Sequence, residues 1–165
     1  MPRLFDQSLI GVRVQSLAVV FETEIDFEPE DGLQSAGLGL YYNTSCHYLL
    51  GVVGDEIEGR GLQIVACDAQ KTCRLPIHPQ PVPSGPLILR AELQRERLRF
   101  SFRAKASEHW QELGPELDAT ILSDDYPLEA GLDFAFTGTF AVLAVQDASG
   151  LRRSAIFRWF KSEQR

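Results

Sequence analysis

Polar and apolar residues alternate with a period of two through much of this chain. In FETEIDF, Phe21, Thr23, Ile25 and Phe27 alternate with Glu22, Glu24 and Asp26, which puts the acids on one strand face and the apolar residues on the other. LILRAEL repeats the pattern, with Leu87, Leu89, Ala91 and Leu93 set against Ile88, Arg90 and Glu92. RLRFSFR does so again, with Leu98, Phe100 and Phe102 inward and Arg97, Arg99, Ser101 and Arg103 outward. A short polar link at 94–96 joins these two runs and predicts a hairpin.

AGLGLYYN, CHYLLGVV, GLQIVACD, TFAVLAVQD and SAIFRWF are the other expected strands. Turn formers separate them: EPEDG, NTS, GDEIEGRG, PIHPQPVPSGP and DASG. Pro76, Pro79, Pro81, Pro83 and Pro86 crowd one connection, which predicts a stiff, extended crossover between sheets. Helical spacing is weak. SEHWQELGPEL is the one candidate, and Gly114–Pro115 ends it early. Many short strands with regular turns predict an all-β sandwich of two stacked antiparallel sheets.

Side chains in such a sandwich can be assigned to faces. Phe21, Phe27, Phe100, Phe102, Phe140 and Phe157 fall at alternating positions and are expected in the core. Tyr41 and Tyr42 are neighbours on one strand, so one of them faces solvent or a groove, where a ring can stack on a sugar; Tyr48 is open to either reading.

Composition narrows the class. A chain of 165 residues predicts one domain spanning 1–165, large enough to fold without disulfide or metal staples. The net charge of −7 and the lack of a basic cluster argue against nucleic acid. No apolar run approaches the ~20 residues of a membrane span, and MPRLFDQSLIGVRVQS lacks the apolar core of a secretory signal. Cys46, Cys67 and Cys73 form no Cys-x-x-Cys pair, and with His47, His78 and His109 they match no zinc spacing. Cys46 and Cys67 read as small buried hydrophobes. A cytoplasmic location is the simplest expectation.

Several segments occur together in one order: FETEIDFEP, AGLGLYYNTSCHYLL, PLILRAELQRERLRFSF, HWQELGPELDATILSDDY, FTGTFAVLAVQDASG and AIFRWFK. As a set they resemble the C-terminal concanavalin A-like β-sandwich of β-xylosidases and α-arabinofuranosidases, the domain that follows a five-bladed propeller in those glycoside hydrolases. The resemblance covers residues 8–161 and implies a jelly-roll sandwich. It also implies that the hydrolytic carboxylates belong to the propeller, which a chain of 165 residues cannot contain. No catalytic residue is therefore expected here, and Glu116, Asp118, Asp124 and Asp125 read as loop carboxylates.

Two departures from the family pattern stand out. Family members carry several dozen sandwich residues before the segment matching SLIGVRVQS, where this chain has only MPRLFDQ. An edge left uncovered there would offer unpaired backbone to another chain, so a homodimer is a secondary expectation. Ile156 and Arg158 also stand where the family tends to interleave acids.

In the enzymes this chain resembles, an aromatic on a sandwich loop leans over the propeller and closes the sugar pocket. The matching stretch is AFTGTF, which assigns that place to Phe136, with Ala135 replacing a common glycine. The alternative is that Phe136 packs between the sheets. Tyr41, Tyr42, Trp110 and Asp125 complete the carbohydrate or pocket-lid candidates, Trp110 being expected in the core more than as a sugar platform. No cofactor is expected. Calcium enters only through Asp124, Asp125 and Asp147, since some concanavalin-like sandwiches bind it structurally, and no calcium-loop signature accompanies them. The expected role is an accessory sandwich that binds xylo- or arabino-oligosaccharide or completes a glycosidase pocket. An assembly module without sugar binding is the alternative, and a stand-alone hydrolase the least favoured.

Overall fold

The computed structural model describes residues 6–165 apart from 56, 58, 70 and 132–137. Among the described residues, eleven strands form two antiparallel sheets, and every sheet neighbour runs antiparallel to the next. They are β1 (Asp6–Arg13), β2 (Ala18–Asp26), β3 (Gln34–Asn43), β4 (Cys46–Asp55), β5 (Gly59–Asp68) and β6 (Lys71–Pro81). The rest are β7 (Leu87–Gln94), β8 (Arg97–Ala104), β9 (Gln111–Asp118), β10 (Phe140–Asp147) and β11 (Ile156–Gln164). A 3-10 turn (Ala119–Leu122) and one helical turn, α1 (Tyr126–Glu129), lie between β9 and β10. Sheet A has the order β1-β10-β3-β4-β5-β6, and sheet B the order β11-β2-β7-β8-β9. This is the expected sandwich, and no helix among the described residues is long and apolar enough to cross a membrane.

The alternating residues meet between the sheets. Leu38, Leu40, Leu50, Leu62 and Ile64 of sheet A are fully buried against Ile25, Leu89, Ala91 and Leu98 of sheet B, with Phe21 and Phe100 almost as enclosed. The predicted hairpin is β7–β8, closed by Arg95 and Glu96, with Arg95 at φ 57°. Phe157 is half-buried against this core, but Phe140 is not part of it. Its ring lies half-exposed on the outer face of sheet A, 5.2 Å from the Arg13 guanidinium, because Ala141, Leu143 and Val145 take the inward positions of β10.

Three strands differ from the sequence expectation, and all three are sheet edges. β9 replaces the weak helix at SEHWQELGPEL. Its two buried residues, Leu113 and Leu117, oppose Phe100 and Leu98. Their spacing of four mimics a helical turn, yet an irregularity at Gly114 (φ 70°) and Pro115 produces it. β6 carries Pro76, Pro79 and Pro81 inside a strand, tolerated because an edge strand needs half of its amides only. The crossover to sheet B is confined to 82–86. β1 is an edge paired on one side only, to β10.

Strands β3 and β4 approach unusually closely. A Cβ on Gly37 would lie 1.8 Å from the Leu50 carbonyl oxygen, and one on Gly39 would lie 2.4 Å from that of Tyr48. At Gly51, opposite Gly37, the nearest atom would be 3.8 Å away.

The acids of FETEIDF do share the outer face of β2, but Glu22 and Glu24 are buried there. Glu22 is 5% exposed and Glu24 4%. Glu22 accepts from Arg90 Nε at 2.7 Å and pairs with Lys161 Nζ at 2.6 Å. Glu24 accepts from Lys105 Nζ at 2.7 Å and Trp159 Nε1 at 3.0 Å, with Arg158 Nε at 3.3 Å. For Glu22 burial is the largest influence and raises the pKa, but the bonds from Lys161 and Arg90 outweigh it and hold the carboxyl below its ordinary range. For Glu24 the Lys105 bond leads and the shift is again downward.

Two outcomes follow from this architecture. Gly37→Ala should cost roughly 1–3 kcal/mol or more through overpacking, while Gly51→Ala stays near neutral; urea denaturation of both variants checks the contrast. Lowered carboxylate pKa values contribute stability that is present above the unfolded glutamate value of about 4.3 and lost as pH falls through the folded values. Thermal melts from pH 6 to pH 3 should therefore decline, and the decline should be shallower in Glu22→Gln and Glu24→Gln.

Candidate functional site

One end of the sandwich is open. The β1–β2 link, the β7–β8 turn and the long β9–β10 connection surround a cleft of about 1070 Å³. Leu17, Leu93 and Leu122 give it an apolar floor, while Arg95, Arg97, Thr120, Ser123, Asp124 and Asp125 supply donors and acceptors around it. Gly138 and Thr139 form part of the wall.

Three core tyrosines and a cap hold the β9–β10 connection over the sandwich end. Asp118 Oδ1 accepts from Thr120 N at 2.9 Å and starts the 3-10 turn, while its backbone carbonyl accepts from Tyr48 Oη at 2.8 Å. Tyr126 Oη donates to Asp68 Oδ1. Tyr42, 2% exposed, brings its hydroxyl beside Asp124. Burial first and the Asp124 carboxylate second push its pKa up to about 12. The segment closes where Thr139 Oγ1 donates to the Leu122 carbonyl at 2.6 Å and Val14 N donates to the Thr139 carbonyl at 2.9 Å. Gly131 (φ 72°) and Gly138 (φ 65°) bracket residues 132–137.

The sequence candidates separate on this frame. Phe136 and Ala135 lie outside the described residues. Asp125 lines the cleft, as does Asp124. Tyr42 points into the core behind it. Tyr41 takes the opposite face, as neighbouring strand positions must, and stacks half-buried on His47 with ring centroids 5.5 Å apart. Trp110 is neither in the core nor in the cleft. It sits half-buried on the outer face of sheet B, 3.6 Å from the Arg90 guanidinium and 5.2 Å from that of Arg103. Leu17, Arg95 and Thr120 escaped sequence reasoning; only the polar hairpin link at 94–96 hinted at a feature there.

The calcium candidates do not converge. Asp124 belongs to the cleft, whereas Asp147 ends β10 at the other end of the sandwich, paired with Gln34. Asp147 accepts from Ser149 Oγ at 2.5 Å, Ser149 N at 2.8 Å and Arg153 N at 2.7 Å. The Ser149 bond first, then the Arg153 amide, lower its pKa. These contacts make it the cap of the turn before β11. No group of three or more His, Cys, Asp or Glu among the described residues is placed to hold a metal ion. Cys46 and Cys67 are buried and Cys73 exposed, all as free thiols. At β11, Ile156 is 54% exposed, and Arg158 pairs with Asp26 at 3.1 Å as well as with Glu24.

Comparison with known proteins matches this architecture to one domain type. Residues 1–163 fit the family model of the β-xylosidase C-terminal concanavalin A-like domain. A β-xylosidase of Bacillus subtilis (strain 168) is 33% identical over 165 residues, covering 98% of this chain and 30% of the relative. A xylan 1,3-β-xylosidase of a Vibrio species is 32% identical over 158 residues, covering 95% and 29%. The crystal structure of a xylan β-1,4-xylosidase from Bacillus halodurans C-125 superimposes with a TM-score of 0.90 at 33% identity, over 96% of this chain and 30% of that one. The chain thus spans about a third of these relatives' length. It belongs to the family of β-xylosidase C-terminal concanavalin A-like domains.

Proposed function

We propose that this chain is the accessory sandwich of a xylan- or arabinan-trimming glycosidase, not catalytic alone, and that its end cleft completes the sugar pocket of a separate catalytic propeller. The observation that carries the reading is the end cleft itself, walled by Thr120, Asp124, Asp125, Gly138 and Thr139. The resemblance of AFTGTF makes Phe136 the aromatic proposed to close over a bound sugar. Asp125, Thr120 and Arg95 supply hydroxyl-binding groups in the cleft, suited to a neutral oligosaccharide. The family relation supports the setting, since the relatives named β-xylosidases extend well beyond the matching region.

The test is a fusion in which this chain replaces the matching region of the Bacillus subtilis β-xylosidase. Phe136→Ala should raise KM for xylobiose roughly tenfold, the loss of an aromatic contact of about 1–1.5 kcal/mol, with the melting temperature unchanged. Kinetics indistinguishable from the parent fusion would remove the pocket reading. The isolated chain should not hydrolyse nitrophenyl xyloside or arabinofuranoside; turnover lost on carboxylate substitution would instead make it an enzyme.

A further inference from the structure

Among the described residues the two sheets have four edges: β1 and β6 on sheet A, β9 and β11 on sheet B. An exposed edge is a template for another strand, and proteins blunt it with proline or charge. Three of these edges are blunted. β6 carries Pro76, Pro79 and Pro81, β9 carries Pro115 between Glu112 and Glu116, and β11 carries Arg158, Lys161 and Glu163. β1 is bare: from 7 to 12 it reads QSLIGV, with neither charge nor proline. Leu9, Ile10 and Val12 are 50%, 74% and 46% exposed there. Register fixes which backbone groups of β1 are free. Val14 N donates to the Thr139 carbonyl, and Arg13 stands opposite Phe140. Bonding alternates along an antiparallel strand, so Ser8, Ile10 and Val12 turn their backbone bonds toward β10. Gln7, Leu9, Gly11 and Arg13 turn theirs to the open side. Side chains alternate likewise. Ile10 and Val12 oppose Leu143 and Ala141, which point into the core. The two β1 residues face the same way, and their exposure shows that sheet B does not reach beneath β1.

We propose that the free edge of β1 pairs with β1 of a second copy of this chain, antiparallel about a two-fold axis, into one continuous sheet. A two-fold interface must be self-complementary, and β1 is. Only residues whose backbone groups turn outward can bond across the edge, so Gln7, Leu9, Gly11 and Arg13 must face members of the same set. The register that uses all four sets Gln7 against Arg13, and Leu9 against Gly11, of the second copy. Ile10 then meets its own counterpart on the axis, where antiparallel side chains lie closest, with Cα atoms about 4.5 Å apart. Val12 falls opposite Ser8, and the bare Gly11 leaves room for Leu9. Gly11 is itself kept bare by Val142, whose Cγ1 would lie 2.8 Å from a Cβ there. Charge permits the approach despite the net −7, since Arg13 is the one charged residue from 7 to 14. β1 ends beside Val14 at the cleft, so the two-fold sends the two clefts to opposite ends of the joined sheet. The pairing is independent of what the cleft binds.

Sedimentation of the full chain from about 5 to about 200 µM tests the pairing, a range suited to a narrow interface. A dimer should form as concentration rises. Ile10→Lys sets two like charges on the axis, and Leu9→Pro removes an edge donor that β10 does not use. Each should leave a monomer that still melts cooperatively. Ile57→Lys, at a side chain 90% exposed in the β4–β5 turn, should leave the dimer intact. In a Cys73→Ser background, Ile10→Cys should cross-link two copies on addition of diamide, because Cα atoms about 4.5 Å apart suit a disulfide; Leu9→Cys should not. A monomer throughout overturns the inference and leaves the edge to a strand of another polypeptide. So does a dimer that neither Ile10→Lys nor Leu9→Pro weakens, or one that cross-links through Leu9→Cys in preference to Ile10→Cys. Where one variant loses cooperative melting, the other and the cross-link decide.

Discussion

Everything in this molecule depends on one shared apolar layer between two sheets. Each sheet alone would leave a row of leucines, isoleucines and phenylalanines in water, and neither has a helix to cover it. The inner faces solve this jointly: Leu38, Leu50 and Ile64 on one side lie against Leu89, Leu98 and Phe100 on the other. Truncating one such leucine to alanine typically costs about 2–5 kcal/mol, a large share of a domain's stability. The ends of the sandwich are then free to hold irregular chain, because order is already secured in the middle. The cleft beside Asp124 and Asp125 exists on those terms.

How much of this was legible in the sequence follows from where water is. Central strands such as β7 and β8 touch core on one side and solvent on the other, so their composition alternates and announces them. Edge strands obey weaker rules. β6 accepts Pro76 and Pro79 since its free edge asks for no hydrogen bonds, and β9 spaces its two anchors four apart through an irregular Gly114–Pro115. Both therefore read as something else. The face of Tyr42 could be narrowed to two choices from its neighbour Tyr41, but only the fold shows Asp124 beside its hydroxyl. Trp110 was misleading for a related reason: an indole can be covered by two arginines from its own sheet as well as by a core.

The buried acids of β2 show a different limit. Alternation correctly puts Glu22 and Glu24 on the outer face, yet outer is not the same as wet. Long cationic side chains from β7, β11 and Lys105, just after β8, fold across them, and Trp159 closes the group from one side. The partners come from far along the chain, Lys161 and Arg90 among them, so no local pattern can announce the network. Its effect is to link three of the five strands of sheet B, and Lys105 just beyond the end of a fourth, across their outer surface.

The long β9–β10 connection has a further consequence. Tyr48 and Tyr126 pin its first half to the sandwich, and the Thr139 bond to Leu122 pins its last residue, so both ends of the connection are fixed by the frame itself. Sequence can change between these two ends while the bonds that hold them stay in place. For a domain whose relatives are named for different glycosidase activities, this is where lineages can diversify while one rigid frame is kept.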